Sequence, residues 1–343
     1  MRAGLRSRPW AGLDVGSFSL KLFATHGPGS GARWLAEVPL PSSETGQVRP
    51  PDVVARSILE ALTQSGLGPR GLRGITMGIS GTDVIIKQIS LPLIEDAEVA
   101  GALRFEARKH LPFDPQAMVI DYQILGRYLT EKKLDVLLAA VSADHLDQHL
   151  EPLRLLDLEV DIVDATPLAL TNALLHSVQS TAEPLALLDI GHNSSHLTIW
   201  HRGEAFFGRR LEFGGRTLTQ VISREMRIPI EEAEEWKLAA GSPASGLRVD
   251  WEMPEMQAIL GSLQRDLGEE LRRSIAFYRT LGRLPETLPL RVSGGTARLP
   301  GLTQRLSELL GGPVELFDPV GESDPEVAAP QFAQAFGLAL RTA

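Results

Sequence analysis

Two short stretches of this 343-residue chain carry the same pattern of chemistry. In LDVGSFSLKLF, Asp14 closes an apolar run and precedes Gly16 and Ser17, with Lys21 seven residues after the acid. In LDIGHNSSHLTIW, Asp189 stands in the same place before Gly191, His192, Asn193 and Ser194. An apolar run, a glycine-bearing turn and a second apolar run read as a β-hairpin with an acid at its tip. One such hairpin is more often an Asx turn than a ligand site. Two of them offer the backbone N–H groups of Gly16, Ser17, Gly191 and His192 to a phosphate chain, and the carboxylates of Asp14 and Asp189 to a hydrated magnesium between them. A third glycine turn, SGGTARLPG, follows in the order such a site needs.

The elements that must position these residues follow from apolar periodicity. Residues 10–23 read as strand, turn and strand, 33–39 as a third strand, 51–65 as a helix opened by Pro51 and closed by Gly66, and 74–80 as a strand ending at Gly81. The second half repeats the scheme with strand 185–190, turn 191–195, strand 196–200, helices 216–227 and 230–237, and strand 288–293 running into Gly294 and Gly295. Because both halves place aspartate and glycine at the same offset, a duplicated α/β domain is the economical architecture. Between them, strand 87–91 stopped by Pro92, helix 96–110, strands 118–122 and 134–141 and helix 145–156 form a β-α-β-β-α insert. Val99, Leu103, Ala107 and Leu111 share one side of its first helix, which should cover the insert's own sheet. Strand 160–164 leads into a helix beginning at Pro167, and 255–281 read as one long helix with Ile259, Leu263, Leu267, Leu271, Ile275 and Tyr278 on a stripe. Residues 300–310 form a further helix, 241–246 and 321–330 read as loops, and 332–341 read as a closing helix that returns to the first domain.

Composition narrows the functions available. Hydrophobic residues make up 43% and charged residues 22%, which are globular values. Lys plus Arg, 34, less Asp plus Glu, 43, gives a net charge of −9, the wrong sign for tracking a phosphate backbone, so no nucleic-acid partner is expected. The lack of cysteine removes disulfides, thiolate metal sites and cysteine nucleophiles. No window reaches the roughly 18 apolar residues of a spanning helix, and no apolar run follows Arg2, Arg6 and Arg8 as in a secretory signal. Membrane association is therefore expected to go through a partner. The eight histidines lack metal spacing, and the turn is expected to send His192 and His196 to different sides. Without a GxSxG elbow, Ser194 and Ser195 read as phosphate donors rather than nucleophiles. Arg104, Arg108 and Lys109, interleaved with Glu106, read as a solvated helix face.

With these motifs in this order the chain resembles the actin-like ATPase superfamily and, within it, the PilM family of type IV pilus assembly proteins, relatives of the division protein FtsA. LDVGSFSLKL looks like the first phosphate motif and LDIGHNSSHLTIW like the second. LEFGGRTLTQVI, with Gly214 and Gly215, resembles the segment that brings a Gly-Gly turn near the phosphates. AEEWK, with Glu234 and Lys237, resembles the pair near the ribose, and SGGTARLPG, with Gly294, Gly295, Thr296 and Arg298, the adenosine motif. KQISLP, RFEARKHLPFDP with VIDY downstream, ELRRSIAFYR and FGLALR carry the narrower likeness to PilM. The resemblance implies an α/β actin-like ATPase fold of two duplicated RNase H-like domains with an inserted subdomain. The first domain would take residues 1–86, 159–182 and 326–343, the insert 87–158, the second domain 183–225 and 286–325, and a smaller subdomain 226–285. It also implies ATP or ADP with magnesium, held through water by Asp14 and Asp189, with Lys21 neutralising the β- and γ-phosphates and Gly294 and Gly295 letting the backbone approach the purine. Without that likeness, Glu234 and Lys237 at i, i+3 would read as a solvated salt bridge worth well under about 1 kcal/mol.

Two departures bear on mechanism. Superfamily members that hydrolyse ATP readily place Gln or Glu-Pro at the start of the helix after the linking strand, where this chain has Asp164-Ala165-Thr166-Pro167; and His192 stands where actin has another acid. Nucleotide binding with slow or negligible hydrolysis is the expectation, with no catalytic residue assigned. The partner implied is the cytoplasmic N-terminal tail of a PilN-like inner-membrane protein, in a groove between insert and first domain near strand 87–91. Other pilus assembly proteins and self-association are further partners of the same kind, and the location implied is the cytoplasm, recruited to the inner membrane through that partner. The rival is an FtsA-type self-polymerising filament protein. FtsA normally ends in a linker and a membrane-binding helix, whereas this chain ends after FGLALR, which favours the adaptor. A sugar kinase of the same fold would need a catalytic-aspartate pattern that the chain does not present.

Overall fold

A computed structural model describes residues 8–27, 33–41, 49–110, 115–177, 184–201, 205–242, 245–280, 288–319 and 329–342. Two five-stranded sheets share one topology. In the first, β1 (Trp10–Val15), β2 (Ser19–Thr25) and β3 (Arg33–Pro39) form an antiparallel meander, and β4 (Gly74–Ile79) and β8 (Ile162–Ala165) join in parallel beyond β1, giving the order β3-β2-β1-β4-β8. In the second, β9 (Leu185–Ile190), β10 (Ser195–His201) and β11 (Ala205–Leu211) form the meander, and β12 (Leu290–Ser293) and β13 (Val314–Leu316) join in parallel, giving β11-β10-β9-β12-β13. The duplication expected from the shared Asp-x-Gly offset is borne out strand for strand. Neither β11 nor β13 is marked by apolar alternation, since β11 ends in Arg209, Arg210 and Leu211 and β13 has only three residues.

The sheets are held together by α4 (Thr166–His176) and α10 (Ala333–Ala339), whose Leu170, Leu174, Ala335 and Phe336 share one core with Phe23 of β2 and Leu187 of β9. The backbones approach so closely that a Cβ on Gly12 would lie 2.1 Å from the Ala335 carbonyl oxygen, and one on Gly337 would lie 1.8 Å from that of Ala169. The closing helix thus returns to the first domain as expected. It is latched there by a relay in which the Trp10 indole donates to the Thr76 hydroxyl at 2.7 Å and Thr76 donates to the Arg341 carbonyl at 2.8 Å.

The insert is a three-stranded sheet, β5 (Ile85–Pro92), β7 (Lys133–Ser142) and β6 (Met118–Tyr128), in the order β5-β7-β6. It is covered by α2 (Asp96–His110), whose Val99, Leu103 and Ala107 are buried in it; Leu111 lies outside the described residues. Two strands are longer than expected. Pro92 is still paired, opposite Lys133, because proline is tolerated at a strand end. β6 runs on past Tyr122 through a bulge between Ile124 and Gly126, where the strict alternation breaks. α3 (Ala143–Arg154) closes the insert in sequence, but its Leu153 packs in the first domain's core beside Val54, Ile58 and Leu62 of α1 (Pro51–Gln64).

The long helix of the second half is continuous but not uniform. It runs as α7 (Pro254–Ser262), a π-helical segment Leu263–Gly268 and α8 (Glu269–Thr280). A stripe repeating every four residues drifts about 40° per repeat on an α-helix, and the wider π turn brings it back into line. Ile259, Leu263, Leu267, Leu271 and Tyr278 are accordingly all buried, in a core shared with α5 (Gly215–Met226), α6 (Ile230–Ala240) and α9 (Leu302–Leu310).

The contact of Gly337 with Ala169 makes a stability prediction. Gly337→Ala gains about 1 kcal/mol of helix propensity but overpacks the α4–α10 seam, which costs roughly 1–3 kcal/mol, so a net loss is expected. Denaturant unfolding should show a lower midpoint at unchanged slope; an unchanged or higher midpoint would mean that α10 is not docked as described.

Candidate functional site

The two meanders aim their first turns at one another across a cleft that is open to solvent. Asp14, Gly16, Ser17 and Lys21 reach it from the first sheet, and Asp189, Gly191, His192 and Ser194 from the second. Glu234 and Lys237 of α6 and the turn Gly294, Gly295, Thr296 and Arg298 line it beside the second hairpin, Glu234 at 4.0 Å from His192 and the Thr296 hydroxyl donating to the Gly191 carbonyl at 3.2 Å. Three anticipated residues stand behind it instead. Gly214 has no room for a side chain, since a Cβ would lie 2.4 Å from the His192 carbonyl oxygen. Gly215 donates its amide to the Gly191 carbonyl at 2.8 Å, so this Gly-Gly turn buttresses the second hairpin. Asn193 also stands off the cleft, its Oδ1 buried without a hydrogen-bond partner among the described residues.

The hairpins correct one expectation in detail. The amides of Gly16 and Gly191 do not point at a ligand: each closes its own turn, donating at 3.1 Å to the Ser19 and Ser194 carbonyls respectively. The amides of Ser17 and His192 remain for an anion. A second correction concerns the histidines, since His192 and His196 both line the cleft rather than facing opposite ways. The register explains why. Asp14 stands opposite Lys21 and Lys21 opposite Glu37 on adjacent strands, while Asp189 stands opposite His196 and His196 opposite Arg210. His196 therefore occupies in the second sheet the place of Lys21 in the first, seven residues after its aspartate. That offset was available in the sequence; Glu37 had no such signal, since only strand pairing brings it to the row.

Electrostatics follow from burial. Lys21 Nζ lies 3.9 Å from Asp14 and 3.5 Å from the Ser19 carbonyl. Burial pushes Asp14 above the ordinary carboxyl range, Lys21 opposing it and Glu37 adding to it. Asp189 is pushed up to about 6 by burial; Asp14 adds to this, while the Ser293 hydroxyl, donating at 2.8 Å, and Lys21 oppose it. His196 is pushed down to about 4 by burial, with Arg210 next. Two buried carboxylates that resist ionisation, facing one space, fit a divalent cation with its water shell and the phosphates it would bridge. The side-chain-free backbone at Gly16 and Gly191 fits the same ligand.

Glu234 and Lys237 are not a surface pair. Lys237 is 8% exposed and donates to Glu234 at 2.8 Å, to the Thr219 hydroxyl at 2.7 Å and to the Gly215 carbonyl at 3.0 Å. Burial pushes its ammonium below the usual lysine range, with Glu234 opposing. α6 packs on α5, which converts an i, i+3 pair into a buried network. Beside it, Leu238, Leu299 and the bare backbone of Gly241, Gly294 and Gly295 make a flat, partly apolar wall. Gly294, at φ +91°, is tied by its amide to the Pro330 carbonyl at 3.0 Å.

A family model described as type IV pilus assembly protein PilM matches residues 12–343. The chain belongs to the PilM family. A solved structure described as a PilM-PilN type IV pilus biogenesis complex is 28% identical, with a TM-score of 0.78 over 96% of this chain and 97% of that one. Ta0583, an archaeal actin homolog, is 16% identical with a TM-score of 0.51 over 96% and 98%, a likeness of fold. The cell division protein FtsA of Neisseria meningitidis serogroup B (strain MC58) is 22% identical over 89% of this chain and 82% of its own length. The fold is thus that of the actin-like ATPases, and the relation to FtsA is distant.

The elevated Asp189 makes a prediction that separates function from stability. A carboxyl whose folded value lies near 6 favours the folded state while protonated, and that contribution is lost as pH rises from the unfolded value near 4 through about 6. Asp189→Asn removes the loss. The substituted protein should therefore melt higher than wild type at pH 8 but not at pH 4, while losing any stabilisation by magnesium nucleotide. Equal melting temperatures at pH 8 would show that Asp189 is not desolvated.

Proposed function

We propose that this PilM-family chain is a nucleotide-binding adaptor that works at the cytoplasmic face of the inner membrane, recruited there by the tail of a PilN-like protein. Two buried carboxylates facing one cleft between duplicated hairpins carry the nucleotide part. Asp14 and Asp189 would hold magnesium through water, and the ion would supply the positive charge that offsets both acids and the phosphates. Lys21 and the amides of Ser17 and His192 would take phosphate oxygens, and Glu234 with Lys237 would face the ribose. The wall of Leu238, Leu299 and the Gly294–Gly295 turn would take the purine.

Slow hydrolysis is supported by Thr166. It is 1% exposed, and its hydroxyl donates to the Ile79 carbonyl at 3.3 Å instead of reaching the cleft. No residue at the start of α4 is among those lining the cleft, where a water-orienting side chain would have to reach. Turnover should lie far below the roughly 1 per second of slow ordinary enzymes; phosphate release at tens per second would overturn this.

The partner part rests on the family and on a pocket at the seam of insert and first domain. There Val84, Ile85 and Ile86 meet Ile79 and Pro167, with His196 and Arg210 of the second sheet forming the far wall. No helix among the described residues is long and apolar enough to cross a membrane, so a membrane-borne tail is the attachment we assign. A short apolar tail buried in the seam gains about 25 cal/mol per Å², offset by the cost of ordering it. Because the seam and the cleft share Ser80 and His196, occupancy of one should affect the other, and by the same factor in both directions.

Two measurements check this reading. ADP or ATP with magnesium should raise the melting temperature of wild type but not of Asp14→Ala. A PilN-tail peptide should bind wild type and bind Ile86→Asp at least about tenfold more weakly, since a charge would enter an apolar pocket. The nucleotide shift of Ile86→Asp should stay intact. Equal peptide binding by both proteins would place the groove elsewhere.

A further inference from the structure

Two rings meet across the mouth of the cleft. Phe18, on the β1–β2 turn, has its ring centroid 5.0 Å from that of His192, on the β9–β10 turn, with the planes tilted by 35°. Each turn belongs to a different sheet, so the contact spans the end of the cleft assigned above to phosphates. The charged groups facing the imidazole come from every element around it. Glu234 of α6 lies 4.0 Å from Nδ1, Lys237 stands on the same helix and Arg216 on α5. Arg49 sits beside the first turn, donating to the Ser17 carbonyl at 2.6 Å. Three cations and a carboxylate already bound to Lys237 thus surround a side chain that is only 21% exposed. Burial first, then Lys237, holds this ring down at about 4, so it is neutral near pH 7. Lys237 engages Glu234 Oε2 and leaves Oε1 at 4.0 Å from the ring, so an anion entering among those cations would give an imidazolium a nearer partner than Glu234 does.

We propose that His192 takes a proton from solvent when the phosphate chain of a nucleotide enters the cleft, becoming the donor of a charge-assisted hydrogen bond to a phosphate oxygen, with Phe18 as the lid over the ring. This rests on the nucleotide reading of the cleft. One proton leaves solvent, one N–H forms on the ring, and no other bond changes. Phosphate supplies the negative charge that outweighs the three cations. The lid explains why the free ring stays neutral: it keeps water from solvating an imidazolium before the phosphate arrives.

The test is calorimetry of magnesium ADP binding at pH 6.5 in two buffers of different ionisation enthalpy, for wild type and His192→Asn. Proton uptake by wild type should exceed that by His192→Asn by about half a proton or more, which corresponds to roughly threefold tighter binding per pH unit of acidification. Taking the difference cancels protons exchanged by Asp189 and by the nucleotide itself. Proton NMR gives a second reading, with the His192 signal assigned by its loss in His192→Asn or, if that protein does not fold, by its shift in Phe18→Ala. The ring should titrate below about pH 5 in the free protein and at about pH 6.5 or above with ADP, and Phe18→Ala should move the free ring upward toward the usual histidine range. Binding of ADP with equal uptake in both proteins, or an unmoved ring, overturns this inference and leaves the nucleotide reading standing. A free ring unmoved in Phe18→Ala overturns the lid. If wild type shows neither heat nor a melting shift with ADP, both the reading and the inference fall.

Discussion

Two carboxylates of like charge, both out of water and both facing one space, are the constraint around which the molecule is arranged. A buried ionised carboxylate without a partner costs several kcal/mol, and the charge of Asp14 makes Asp189 harder still to ionise. The protein supplies only partial compensation, Lys21 at 3.9 Å from Asp14 and the Ser293 hydroxyl at 2.8 Å from Asp189. The acids cannot move apart to relieve this, because each lies near the end of the central strand of a five-stranded sheet. The separation of those sheets is set by α4 and α10, whose packing leaves no room for side chains at Gly12 and Gly337. The packed layer in the middle thus sets the resting separation of the two acids.

The same logic explains which parts were legible in the sequence. The hairpins were, because apolar alternation around a glycine turn is a local signal, and so was the duplication, because an Asp-x-Gly offset survives when the rest of the two halves has diverged. Glu37 was not, since a cross-strand row exists only once register is set, and register depends on which face is buried; His196 carried a signal only in its offset of seven from Asp189. Lys237 reads as a surface residue by spacing alone and becomes a buried one only through the packing of α6 on α5. The π segment was hidden for a related reason. Its stripe of every fourth residue is compatible with a long α-helix over two turns and fails only over five, so the deviation is a property of the whole helix rather than of any residue in it.

The insert adds a third body, and its attachment determines what can move. Strand β4 leaves the first sheet through Ser80 and Gly81, the latter at φ +143°, where a side chain would run into the His145 ring. The His145 Nε2–H donates to the Ser80 carbonyl at 2.9 Å, and α3, which carries His145, is packed into the first domain's own core through Leu153. Insert and first domain are therefore tied at the point where the chain passes between them.

What is not tied in this way is the second sheet. It meets the insert through the β5–β11 contact and the shared pocket around His196 and Arg210, and it meets the phosphate end of the cleft through His192. Any closing of the cleft carries β10 and β11 with it, since the aspartate, both histidines and Arg210 lie on one meander with a fixed register. A displacement large enough to bring Asp189 toward a ligand must then shift Arg210 against Val84, Ile85 and Ile86 at the seam. The meander lines the cleft on one side and the seam on the other, in one fixed register. Coupling between the two sites then needs no chain of side-chain rearrangements, only two packings of one sheet edge against the insert.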